Sequence, residues 1–292
     1  MADNHEKDVD QLSGVETTGH EWNGIKELNN PLPLWWLYSF YACVIWALLY
    51  TVAYPAWPMI SSATGGVLGY SSREAVMEDI AAAKAEQAVY VDKIAAADVT
   101  EISGDAELMQ FSLAGGAAVF RTYCSQCHGS GAQGGVGYPN LNDDAWIWGG
   151  SVEAIHQTIA HGIRSSEDED TRFSAMPAFG RDELLEAEEI AAVVEHVLSL
   201  SGQDHDVAMA EEGAVVFEDN CASCHMEDGT GNVDLGAPNL TDAIWLYGGD
   251  RDTIAYTVNN SRAGMMPAWL GRLSDAQVKQ VALYVHSLGG GE

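Results

Sequence analysis

A chain of 292 residues is long enough for two ordinary domains or several small ones. Its 13 basic and 43 acidic residues leave a formal charge of −30, which excludes ordinary nucleic-acid binding and argues against adhesion to an anionic lipid surface; both need a basic face. Hydrophobic content of 47% supports a packed core, and four of the five cysteines fall in two C-x-x-C-H strings.

Residues 28–72 carry no charge, and within them the stretch 34–54 is apolar or weakly polar throughout. At ~1.5 Å per residue a helix over 34–54 spans roughly 31 Å, the thickness of a hydrocarbon core. Aromatic side chains crowd both ends (Trp35, Trp36, Tyr38; Tyr50, Tyr54, Trp57) as an interfacial belt does, which disfavours a buried core helix. Pro31 and Pro33 precede the span; Pro55 and Pro58 follow it. A cleavable signal would begin with a short basic segment, whereas mostly acidic or polar residues come first here, so the pattern predicts an uncleaved anchor. Lys26 and Arg73 are too few to orient it by charge. Cys43, inside the span, reads as a small hydrophobe.

A Gly/Ser-rich loop at 61–72 follows. Ser71 and Glu74 then fit a capping box, and the Ala/Glu/Lys/Gln-rich stretch 74–97 predicts an exposed linker helix that Ser103, Gly104 and Asp105 close off.

Everything from Asp105 onward is a duplication. GAAVF at 116–120 recurs as GAVVF at 213–217, and Cys124, Cys127 and His128 recur as Cys221, Cys224 and His225. Pro139-Asn140-Leu141 recurs as Pro238-Asn239-Leu240, Trp146 with Gly149-Gly150 as Trp245 with Gly248-Gly249, and Met176-Pro177 as Met266-Pro267. The first copy holds nine extra residues between its Trp and its Met, where the acidic run at 165–170 reads as a surface loop. Each copy closes on a stripe of helical period, Ile190, Val193, Val194, Val197 and then Val278, Val281, Tyr284, Val285. Two small, mostly helical domains are expected.

C-x-x-C-H is the attachment signature of a c-type haem. Positions i, i+3 and i+4 share a helical face, so the thiols of Cys124 and Cys127, and of Cys221 and Cys224, meet the two vinyl groups while His128 and His225 reach iron. A zinc site would want its cysteine pairs much closer in sequence, and a thioredoxin-like motif would want a βαβ pattern. Met176 and Met266, each before Pro about 40 to 50 residues after its C-x-x-C-H, read as the second axial ligands; a soft thioether suits iron. Met265 is the poorer candidate because Met266 aligns with the repeat. Default topology pairs Met176 with His128 and Met266 with His225, although spacing leaves an exchange between domains open. Filled coordination at both irons points to electron carriage rather than bond-making, against a dihaem peroxidase. His156, His161, His196, His205 and His286 lack matched partners and read as structural. Arg181 and Arg272 recur after the Met motifs, with propionate pairing and plain solvation both open. Trp146 and Trp245 read as haem-pocket walls.

With these strings in place, the chain resembles the membrane-anchored dihaem subunit III of cbb3-type cytochrome c oxidases. The specific features are the segment His20 to Ile25 (HEWNGI), NPLPLWW opening the span at 30–36, YPAWP closing it at 54–58, and the two C-x-x-C-H/Met-Pro domains. Asn23 stands where the family usually has Asp. The resemblance implies a mostly α fold: a cytoplasmic segment 1–30, a single-pass inner-membrane anchor 31–58, a periplasmic linker 59–104, and two tandem class I cytochrome c domains at 105–202 and 203–292. It implies two covalently bound haem c groups and a non-catalytic electron-transfer role. Its implied partners are the haem b–copper catalytic subunit, the monohaem subunit and a periplasmic cytochrome c donor, with no nucleic acid. A free-standing anchored dihaem shuttle is the competing expectation.

Overall fold

The computed structural model describes residues 8–290; the first seven residues of the segment 1–30 and the last two of the second repeat lie outside the described residues. The chain divides into two compact bodies, one ending at Lys84 and the other beginning at Ala85.

The first body opens with an antiparallel hairpin, β1 (Thr17–Trp22) and β2 (Ile25–Leu28). The helical expectation for this chain omitted it. Asn23 (φ 49°) and Gly24 (φ 87°) make the two-residue turn, whose positive dihedrals suit the twist of paired strands. Asn-Gly and Asp-Gly serve such turns equally, so Asn23 keeps the geometry its usual counterpart would give. Helix α1 (Leu34–Ala53) follows, and none of its residues is buried. Tyr54 is forced extended (φ −116°, ψ 161°) by Pro55, which stops the helix. The chain then turns back, so that the amides of Val67 and Leu68 donate to the carbonyls of Val52 and Ala53 at 2.9 and 3.1 Å, covering acceptors the helix end would leave bare. Gly66 (φ +69°) makes this possible: a Cβ there would lie 2.4 Å from the Ala53 oxygen. Helix α2 (Ser72–Ala96) begins as expected, with the Ser71 hydroxyl accepting from the Glu74 amide at 3.3 Å.

The second body holds both repeats. Asp105 caps helix α3 (Ala106–Val119), which passes through a π-helical turn (Phe120–Cys124) into the short α4 (Ser125–His128). Then come α5 (Val152–His161), α6 (Ala187–Leu200), α7 (Val207–Asn220), the short α8 (Ala222–His225), α9 (Arg251–Asn260) and α10 (Asp275–His286).

The packing partners cross between repeats. α3 packs against α10, and α7 against α6, with α5 and α9 completing the respective clusters. One core joins Val119, Phe120, Ile155 and Ile159 to Val278, Val281 and Val285; the other joins Phe217, Ile254 and Val258 to Ile190, Val193, Val194 and Val197. Each helix pair crosses at a glycine from the repeated GG/EG step: a Cβ on Gly116 would meet the Gln280 carbonyl oxygen at 2.2 Å, and one on Gly213 the Ala192 oxygen at 2.0 Å. The segments 105–202 and 203–292 are repeats in sequence, but each packed module takes its C-terminal half from the other copy.

Local bonds explain this exchange. Only residues 201–206 separate α6 from α7, and so short a connection leaves antiparallel helices as neighbours. Buried Glu195 pins it, accepting from the Asp206 amide at 2.7 Å and from Arg251 at 2.5 and 3.0 Å. At the other end Lys279 on α10 donates to the carbonyls of Ala95 and Ala97 (2.8 and 2.9 Å), capping α2 beside a third cluster of Ile94, Ile102, Leu108 and Leu283.

Candidate haem sites

Each module presents its C-x-x-C-H string at the end of its N-terminal helix. The imidazole Nδ1 of His128 lies 3.1 Å from the Pro139 carbonyl oxygen, and that of His225 lies 3.0 Å from the Pro238 oxygen. Donation of Nδ1–H to these carbonyls fixes the ring and leaves Nε2 for a metal. Burial lowers both histidine pKa values, keeping the imidazoles in the neutral, ligating form. The orienting prolines were legible as repeated Pro-Asn-Leu, but their role needed the fold. All four C-x-x-C-H thiols are free, and burial pushes those of Cys124 and Cys221 up to about 11.

Two straps bring the methionines across. The first, after α5, carries Met176 to the second core; there the Phe179 amide donates to Val258 O (3.0 Å) and the Ser261 hydroxyl to Met176 O (2.7 Å). The return strap, after α9, carries Met266 to the first core, where Ile163 and Met266 exchange backbone bonds at 2.9 and 3.0 Å. Gly162 lets the strap approach, since a Cβ there would sit 2.4 Å from Met266 O. Met266 therefore packs on the same cluster as Cys124, the one that holds Phe120, and Met176 on the same cluster as Cys221, the one that holds Phe217. Met266 thus shares its core with the His128 string and Met176 with the His225 string, the exchange that spacing left open rather than the default pairing. The short α6–α7 connection was the sequence signal for this. The acidic run expected as a plain surface loop lies in the first strap, with Ser165 buried and Glu167 and Asp168 paired to Arg272 and His161.

The two sites open on one continuous cavity of about 410 Å³, whose walls include all four C-x-x-C-H cysteines, His128, His225, Met176 and Met266. Trp146 and Trp245 line it as well; Gly150 and Gly249 make room for their rings, where a Cβ would come within 2.6 and 2.5 Å. The modules meet with pseudo-twofold symmetry: Tyr247 lies over Gly137 and Trp148 over Gly236, equivalent positions in the repeat. Paired thiols, a directed imidazole and a thioether in apolar walls fit haem c twice over. Met265 also reaches the cavity but is exposed, while His156, His161, His196 and His205 do not line it. Arg181 and Arg272 end in surface ion pairs with Asp182 and Glu167, away from the cavity.

The family model described as the N-terminal domain of cytochrome oxidase-cbb3, FixP, matches residues 14–61, and that for cytochrome c oxidase, cbb3-type, subunit III matches 112–197 and 208–285. The chain belongs to the cbb3-type cytochrome c oxidase subunit III family. The CcoP subunit of Cereibacter sphaeroides is 56% identical over 276 residues, covering 94% of this chain and 95% of its own. The FixP subunit of Sinorhizobium medicae is 56% identical over the full length of both chains, and the CcoP subunit of Azospirillum brasilense is 50% identical over 98% of this chain and 99% of its own. Two tandem cytochrome c domains behind an apolar helix are thus the family architecture, and cytochrome c domains make electron transfer by haem c the coarse function.

One position departs from the internal symmetry. Gly129 (φ 81°, ψ 155°) follows the first haem-binding string, but Met226 (φ 64°, ψ 160°) holds that conformation after the second. The region is nearly glycine-only and costs other residues about 1–3 kcal/mol, against ~0.5–1 kcal/mol of extra backbone entropy that glycine loses on folding. Met226→Gly should therefore stabilise the chain by roughly 1 kcal/mol in chemical denaturation, whereas Gly129→Met should destabilise it.

Proposed function

We propose that this chain is the electron-entry subunit of a cbb3-type haem–copper oxidase, holding one haem c on Cys124 and Cys127 with His128 and Met266 as axial ligands. A second haem c is held on Cys221 and Cys224 with His225 and Met176. The observation that carries this is the single apolar cavity on which both attachment strings and both methionines open. Each bound haem supplies one reversible electron; the chain's residues attach, orient and desolvate it. His and Met on each iron leave no open position, so the subunit relays electrons while oxygen is reduced in the haem b–copper subunit. Electrons arrive from a periplasmic cytochrome c, with the monohaem subunit alongside. Residues before the span face the cytoplasm and those after it the periplasm, in the bacterial inner membrane. The apolar surface of α1, with no residue buried, supports anchoring in lipid beside other subunits' spans.

From Asp105 onward 29 acidic and 8 basic residues leave −21, a field suited to steering a basic donor cytochrome. With a Debye length of roughly 8 Å at ~0.15 M, oxidation of such a donor should slow at least tenfold from low to high salt, and internal transfer should not. A donor rate flat with salt would reduce the charge to solvation. The function itself is tested by solubilising native membranes and isolating this chain: recovery with the haem b–copper subunit is expected, and recovery as a lone dihaem cytochrome would make it a free-standing shuttle.

A further inference from the structure

The cavity differs in charge from the rest of the molecule. Among the described residues no Asp or Glu lines it, yet Arg164 and Arg262 do. Of the six other cations in the repeats, Arg181, Arg251, Arg272 and Lys279 pair with Asp182, Glu195, Glu167 and Asp275, while Arg121 and Arg172 form no ion pair among the described residues and lie outside the cavity wall. Among the described residues no carboxylate pairs with Arg164 or Arg262, in a region where acids outnumber bases more than threefold.

Both arginines sit at the seam between modules, fixed by neutral groups. Arg164 donates from Nε to Gly264 O and from Nη1 to Ser174 O, each at 2.7 Å. Those acceptors lie two residues before Met266 and Met176, so one guanidinium ties both straps together. Arg262 stacks on Tyr247 and Tyr256, with its centre 5.1 and 4.7 Å from the rings. Its repeat equivalent, Arg172, stacks on Trp148 at 5.5 Å but bonds Ala154 O and Gln157 and stays out of the cavity wall. Burial lowers the pKa of Arg164, as it does that of Arg172. A guanidinium has five donors in a fork that matches a carboxylate, and two carbonyls leave most of Arg164's unspent.

We infer that Arg164 and Arg262 form a shared cationic seat for haem propionates at the seam, one pair of side chains serving both haem sites. This rests on the dihaem reading above. The anions that complete the seat come from the haems themselves, which explains why no Asp or Glu lines the cavity. A positive charge at the seam disfavours the ferric state of both haems, so it raises both potentials together.

The test is a redox titration of the purified holoprotein, with resonance Raman of the propionate bending modes, in Arg164→Gln and Arg262→Gln. Both haem potentials should shift downward, because losing the cation favours the ferric form, and the propionate modes should move. Arg272→Gln, at an exposed ion pair, should change neither. If the Gln variants fail to accumulate, Arg164→Lys and Arg262→Lys keep the charge but lose the fork: potentials should hold while the Raman modes shift. Two attached haems with unmoved potentials and modes would overturn the seat alone, and a shift at one haem only would overturn its shared character. Absence of two haems from the wild-type protein would instead defeat the dihaem reading.

Discussion

A fragment ending at residue 202 should fold neither module and should retain no haem. In an unexchanged chain that cut would release an intact first cytochrome domain. Here it removes α10, whose Val278, Val281, Leu283 and Val285 are all at most 4% exposed. Burial of four such side chains is worth on the order of 6–12 kcal/mol, comparable to the ~5–15 kcal/mol that holds a whole domain. The cut also removes Met266 and leaves α6 without α7, so no complete core survives. Haem staining and circular dichroism of the exported fragment check this, and a folded monohaem product would contradict it.

Gly116→Ala and Gly213→Ala should each destabilise the holoprotein by about 3 kcal/mol, the upper range of overpacking. The added methyl meets backbone carbonyl oxygens at 2.2 and 2.0 Å, so no side-chain rotation relieves it and the helices must part. For modules of this size that is a fall in Tm of roughly 10–20 °C. Hydrogen exchange adds the location. Gly116→Ala should loosen α10, and Gly213→Ala should loosen α6, where an unexchanged fold would show α6 and α10 respectively.

Most of the chemistry was legible because it is local. A C-x-x-C-H string sits on one helical turn, the span is a continuous apolar run, and Ser71 caps α2 through a contact three residues away. The repeat marked Gly116, Gly213, Pro139 and Pro238 as equivalent pairs, although their tasks as helix crossings and imidazole acceptors depend on three-dimensional approach. The hairpin at Asn23-Gly24 had a sequence signal in that dipeptide, which the helical character of the chain overshadowed. Pairing between modules was not legible from motif spacing, because Met176 and Met266 each open the same Met-Pro-Ala string. What separates the two arrangements is the six-residue α6–α7 connection and the Glu195–Arg251 pair that holds it. Arg164 lacks a repeat equivalent, and only its bonds to both straps reveal its place.

The exchange of axial methionines is tested most directly by redox titration of a chain keeping one attachment string. With Cys221 and Cys224 replaced by serine, only the His128 haem remains. In that background Met266→His should lower its potential markedly, since Met/His coordination favours the reduced state over His/His, while Met176→His should leave it unchanged. A potential that falls with Met176→His and holds with Met266→His would contradict the exchanged pairing.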